Sequence, residues 1–166
     1  MVKRKYLAMG LILVSAFAVY FLFFVDWEAR AVKKHLQALA KELEWSTGEN
    51  ELAVAHRIRR IQEGMAENCQ VDIPSYGISR AVVRHDVPVY LMTARGYYKN
   101  LSVELEDLEI ETLELPAAQA VATAYVKAIQ ADGVLNDEVL VIRFRLQKVN
   151  KKWQVNEAGE VHVLEK

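Results

Sequence analysis

The sequence predicts an α+β domain behind an N-terminal transmembrane helix, and three observations carry that expectation. Tyr6 to Val25 is a run of 20 residues without a charge, the length of helix that crosses a hydrocarbon core of about 30 Å. After it, apolar residues recur with a helical period as far as Glu67. Beyond Leu101 the period falls mostly to two, the repeat of strands with one buried face.

These boundaries divide the 166 residues into a basic stub at 1–5, a span at 6–25 and one domain at 26–166. A domain of that size buries a core without staples. The chain carries a net charge of −1, but Lys3, Arg4 and Lys5 stand in the stub without an acid, so the rest carries −4. A mildly acidic domain does not hold nucleic acid by neutralising phosphates. Cys69 is the only cysteine, which excludes an intrachain disulfide and a multi-cysteine metal site.

The cations before the run and Asp26 and Glu28 after it place the N-terminus in the cytoplasm and the domain across the membrane. Tyr6, Tyr20 and Trp27 lie near the ends, where amphipathic rings favour the interface. The expected location is therefore a cell inner membrane, crossed once, with a periplasmic domain and the bilayer as first partner. Two alternatives stay open. Ser15-Ala16-Phe17-Ala18 offers small residues for signal cleavage, although Val19 to Val25 would leave an apolar new terminus; the other is a buried core helix.

In the domain, Val32, Leu36, Leu39 and Leu43 mark one face of a helix over Trp27 to Trp45. Gly48 stops it, and Thr47 or Asn50 caps the next. Val54, Ile58, Ile61 and Met65 repeat the spacing over Glu51 to Glu67, with Arg57, Arg59 and Arg60 on the other side. Cys69, Val71 and Ile73 then alternate with Gln70 and Asp72 as a short strand, ended by a loop from Pro74-Ser75-Tyr76-Gly77. Asp86 and Pro88 open a third helix with Val87, Leu91, Ala94 and Tyr98 on its apolar side, closed by Asn100. Leu101, Val103 and Leu105 alternate with acids, and Leu108 and Ile110 continue one residue out of phase. That shift predicts a bulge at Glu106-Asp107. Pro116 breaks the strand. Alanine-rich Gln119 to Gln130 reads as a helix, and Asp132-Gly133 as a turn. Val139 to Val149 is a strand with Leu140, Ile142, Phe144 and Leu146 on one side. Asn150-Lys151-Lys152 turns it into Trp153, Val155, Val161 and Val163, completing an antiparallel meander.

This order resembles the nuclear-transport-factor-2-like, or cystatin-like, superfamily. The resemblance covers Glu28 to Lys166. It rests on Ile61-Gln62-Glu63-Gly64-Met65-Ala66-Glu67-Asn68 leading into Cys69-Gln70-Val71-Asp72-Ile73-Pro74, and on Val141 to Val149 closing with Trp153-Gln154-Val155. It implies a cone, with helices packed into a curved antiparallel sheet. Its members include isomerases, dehydratases, ligand binders and non-catalytic assembly subunits, some of them membrane-anchored scaffold subunits with this layout. No catalytic set of that superfamily maps residue by residue onto this chain.

The function expected is a non-catalytic, membrane-anchored interaction or assembly domain. The alternative is a domain for a small molecule or lipid, isomerase- or dehydratase-like in form. Proton transfer in such a cone needs an acid or base tuned by burial, for which Asp72 and His85 are the candidates. Both have an ordinary reading: a charged strand residue normally faces water, and His85 adjoins a helix cap. Tyr76, Tyr97 and Tyr98 are pocket candidates, although adjacent Tyr97 and Tyr98 cannot both face the core of a helix. Superfamily members dimerise through the outer sheet face, which marks Tyr125, Arg143 and Arg145 as interface candidates, for a homodimer or a membrane protein complex. His35, His56, His85 and His162 are scattered, so no metal site is expected. No cofactor motif is present: there is no phosphate loop, GxSxG or GxGxxG. Cys69 reads as a small apolar filler, and the arginines of 57–60 as a solvated helix face.

Overall fold

A computed structural model describes residues 27–161. The expected span at 6–25, with its cleavage alternative, and the strand end at Val163 lie outside them. Among the described residues no helix is long and apolar enough to cross a membrane.

Residues 27–43 are helical (α1). Val32 and Leu36 are sealed against the sheet at 0% and 2% exposure, the face that the heptad-like spacing selects. Helix α2 is Glu51–Gly64, capped by Asn50, whose Oδ1 accepts the Leu52 N–H at 2.9 Å. It stops three residues before the expected end, because Met65 is already extended. A Cβ on Gly64 would fall 2.4 Å from Leu39 Cδ2, so glycine lets α2 close on α1. Strand β1 (Met65–Ile73) runs through a 3-10 turn at Pro74–Tyr76 into β2 (Ile78–Val83). Arg84–Asp86 turns into α3 (Val87–Tyr97), and then come β3 (Tyr98–Glu114), β4 (Ala117–Gln130), β5 (Leu135–Val149) and β6 (Lys152–Glu160).

The sheet order is β2-β1-β6-β5-β4-β3. The register of β3 against β4 slips between Glu106 and Glu109, where Asp107 adopts φ 49°, so the bulge stands where the change of phase puts it. Four expectations need correction. Residues 119–130 belong to strand β4, not to a helix. Its alanines recur at every second position, Ala118, Ala120, Ala122 and Ala124, and all four are buried on one face; pairing along both edges overrides helix propensity. The stretch after Gly77 is a strand rather than loop, because Ile78 to Val83 pairs back on Ile73 to Asn68. The sheet is not wholly antiparallel either. Strands β3 to β6 form the expected meander, and it returns β6 alongside β1 in the same direction. Tyr98 and Asn100 also belong to β3, not α3.

The core fills the concave side: Val32 and Leu36 of α1 meet Ala118, Ala120, Ala122, Leu146, Trp153 and Val155. Alanine on β4 is what admits a helix so close to the sheet. At the first turn of α1, the carboxylate of Glu28 is 4% exposed. It accepts from Lys148 Nζ and, at 3.1 Å, from Trp153 Nε1. This buried pair fastens α1 to the end of β5, where the Lys148 N–H also bonds the Pro116 carbonyl at 2.7 Å.

Candidate functional site

Farther along α1 the two layers part and leave a cavity of about 310 Å³. Helices α1 and α2 contribute Leu36, Leu39, Leu43 and Ile61, and β1 contributes Cys69, Val71 and Ile73. Val103 and Leu105 of β3, Ala124 and Val126 of β4, and Leu140, Ile142 and Phe144 of β5 close the other side. The strand residues come from alternate positions, so the two-residue period that identifies the strands also produces an apolar wall. Every lining side chain is carbon or sulfur. An apolar cavity excludes ordered water and accepts apolar molecules.

Cys69 is the lining group with a titratable atom. It is 2% exposed. Burial, with a smaller contribution from the Glu157 charge, pushes its thiol up to about 11, so near neutral pH it is no nucleophile.

A polar rim stands at one end. Glu138 precedes Leu140 by two residues on the same face of β5, opposite Val126. Glu160 follows the lining residue Ala158 by two. Ser75 donates its backbone N–H to Glu160 Oε2 at 3.0 Å, and its hydroxyl to the same carboxylate. Burial pushes the Tyr76 phenol above the ordinary tyrosine range; its hydrogen bond to Glu138 and the charges of Glu138 and Glu160 add to the shift. The phenol is therefore a donor at neutral pH. Tyr98 adds to this field, and its carbonyl accepts Trp45 Nε1 at 3.1 Å. The cavity thus ends in one phenol and two carboxylates.

No family model matches the chain, and no curated protein matches it. Solved structures do. A Novosphingobium aromaticivorans protein provisionally assigned as an aromatic ring hydroxylase superposes with a TM-score of 0.68 at 14% identity, over 83% of this chain and 91% of its own. A Streptomyces avermitilis protein of the NTF2-like family, provisionally assigned as a dehydratase, gives 0.63 at 12% identity, over 84% and 99%. The fold is nuclear-transport-factor-2-like. The association domain of C. elegans CaMKII superposes on the same cone at 0.59 and 6% identity, over 82% of this chain and 96% of that one. Identities this low speak for the fold alone.

Tyr76 stands at the rim, and Tyr98 acts on it through its charge while lining a separate hollow with Trp45, Val54 and Arg95. Tyr97, one residue from Tyr98, is 68% exposed at the end of α3. Asp72 is exposed on the opposite face of β1 from Val71 and Ile73, away from the cavity. His85 lies in the turn before α3, with Nε2 3.0 Å from Asp86 Oδ1 and its side chain 74% exposed. Neither faces the cavity. Tyr125 lies half-buried on the outer sheet face between Glu104 and Val139. Arg143 pairs there with Glu111 at 3.1 Å and Arg145 with Glu157 at 2.6 Å. Arg57, Arg59 and Arg60 pair with Glu49, Glu63 and Glu42. Glu138 and Glu160 were missed because strand alternation marks which face a residue shares, not how far along the cone it stands.

Proposed function

We propose that the cone binds a small, largely apolar molecule and that residues 6–25 hold it at a membrane. The observation that carries the binding reading is the wholly apolar cavity of about 310 Å³, at the lower end of the roughly 300–1,000 Å³ of ligand pockets. Burying apolar surface contributes about 25 cal/mol per Å², so the hydrophobic effect supplies the affinity and the Tyr76–Glu138 rim orients a polar end. Asp72 and His85 face away, and the Cys69 thiol is protonated, which favours binding over turnover.

The test is a methyl spectrum of the isoleucine-labelled full chain in lipid nanodiscs, titrated with naphthalene. Ile61, Ile73 and Ile142 line the cavity, whereas Ile58 and Ile129 do not. Saturable shifts confined to the first three are expected, and their loss in Val103→Phe with Val126→Phe. Of the eight isoleucines, shifts spread evenly over these five, or none at Ile61, Ile73 and Ile142, would overturn the reading. A second reading concerns the outer sheet face. There Val139 is 58% exposed beside half-buried Tyr125, which favours pairing of two copies through β4 and β5.

A further inference from the structure

The pole of the cone opposite the rim carries a surface of its own. The start of α1, the β3–β4 turn and the β5–β6 turn converge there, joined by the Glu28–Lys148 pair and the Lys148–Pro116 backbone bond. Trp27 is 72% exposed, Leu115 48% and Val149 40%. Exposed Lys151 and Lys152 sit at the hairpin tip beside them; exposed Glu114 stands on the neighbouring turn, and Glu42 and Glu63 share a hollow with Lys152. Three apolar side chains presented on three separate segments do not serve the core, and Lys151 and Lys152 beside them match an anionic surface.

We propose that this pole lies on the membrane surface, with Trp27, Leu115 and Val149 in the headgroup layer and Lys151 and Lys152 against anionic lipid phosphates. The inference rests on the reading of 6–25 as a span. Trp27 follows Val25 by two residues, so whatever their conformation it stands within about 7 Å of the span's end. That is the thickness of one headgroup layer, about 5–7 Å. Aromatic residues favour that layer, and each lysine near an anionic leaflet shifts the docked population about fivefold. The 17 residues of α1 between 27 and 43, at 1.5 Å each, raise the other end by about 25 Å. The rim of Tyr76 and Glu138 therefore faces the aqueous side, and ligand enters from solution or a soluble partner rather than from the bilayer.

The test uses full chain reconstituted in vesicles that contain phosphatidylcholine brominated near the head of its acyl chains, with or without phosphatidylglycerol. The sequence has three tryptophans, and Trp45 and Trp153 are 7% and 5% exposed. Quenching in the parent chain thus reports Trp27 and the anchor. In a Trp27→Phe background, Leu115→Trp reports the pole and Tyr97→Trp the rim. Quenching of Leu115→Trp but not of Tyr97→Trp is expected. Adding Lys151→Gly with Lys152→Gln should lower Leu115→Trp quenching with phosphatidylglycerol and leave it unchanged without. Quenching of Trp27 with none at Leu115→Trp would keep the anchor and overturn the docked pole. Quenching at Tyr97→Trp would reverse the orientation and overturn it too. A chain that does not float with vesicles would sink the anchor and the inference together.

Discussion

His35 and Glu28 show how single side chains hold the helical layer. His35 Nε2 donates to the Gly64 carbonyl at 3.2 Å, tying α1 to the end of α2. Burial holds its imidazole below the ordinary 6.5, an effect that the bond to Gly64 offsets only in part. As pH falls, the unfolded chain protonates here first, so stability present above about 6.5 is lost on acidification. His35→Gln keeps a donor without the charge, and its urea midpoint should fall less than the parent's between about pH 7 and 5.5. Equal slopes would show that His35 does not set that limb. Glu28 is the more costly group to disturb. Lys148→Met would leave its carboxylate buried with Trp153 as partner, and breaking a buried pair from one side costs about 3–5 kcal/mol. Urea denaturation would detect that loss, and a change below about 1 kcal/mol would mean that the pair is open to solvent.

Strand β4 decides the shape of the interior. Composition alone favours helix there, yet the alanines repeat every second residue, and in a helix they would not share one face. Their small size lets Val32 and Leu36 seat on the sheet, and Ala120 is fully buried. Ala120→Leu should therefore destabilise the fold by about 1–3 kcal/mol through overpacking, measured as a lower Tm. At Thr123, half-exposed on the outer face, the same substitution should change stability by less than about 0.5 kcal/mol. Similar losses at both positions would mean that the inner face does not constrain size. The 3-10 turn at Pro74–Tyr76 does the comparable work at the rim, since it turns β1 into β2 and brings Ser75 and Tyr76 over Glu160 and Glu138.

The whole cone is polarised. Glu138, Glu160 and the Tyr76 phenol stand at the rim, Lys151, Lys152 and the exposed side chains of Trp27, Leu115 and Val149 at the other pole, and its outer face offers Val139, Tyr125 and two arginines already paired within the chain. A two-fold contact would set the same patch against itself. Sedimentation equilibrium of the full chain in detergent should give a dimer, and Val139→Glu should give a monomer by placing like charges at its centre. A parent chain that is monomeric throughout would remove the outer face as an interface.

Much of this was legible in the residues themselves, because helical and strand periods, caps and phase shifts are local. The α1 face, the Asn50 cap, the bulge at Asp107 and the inward set of β5 follow from spacing within a few positions. The resemblance carried by Ile61 to Pro74 and Val141 to Val155 extended that reading to the cone. Contacts between distant segments were not legible. The pairing of β2, the parallel return of β6 beside β1 and the strand state of β4 depend on hydrogen bonds to residues far away in the chain. So does the site. Glu138 reads as a charge among alternating residues, and Glu28 as a charge flanking a membrane run. Only the fold carries Glu138 to Tyr76 and buries Glu28 against Lys148 and Trp153, because burial is set by what packs opposite a residue and not by its neighbours in sequence.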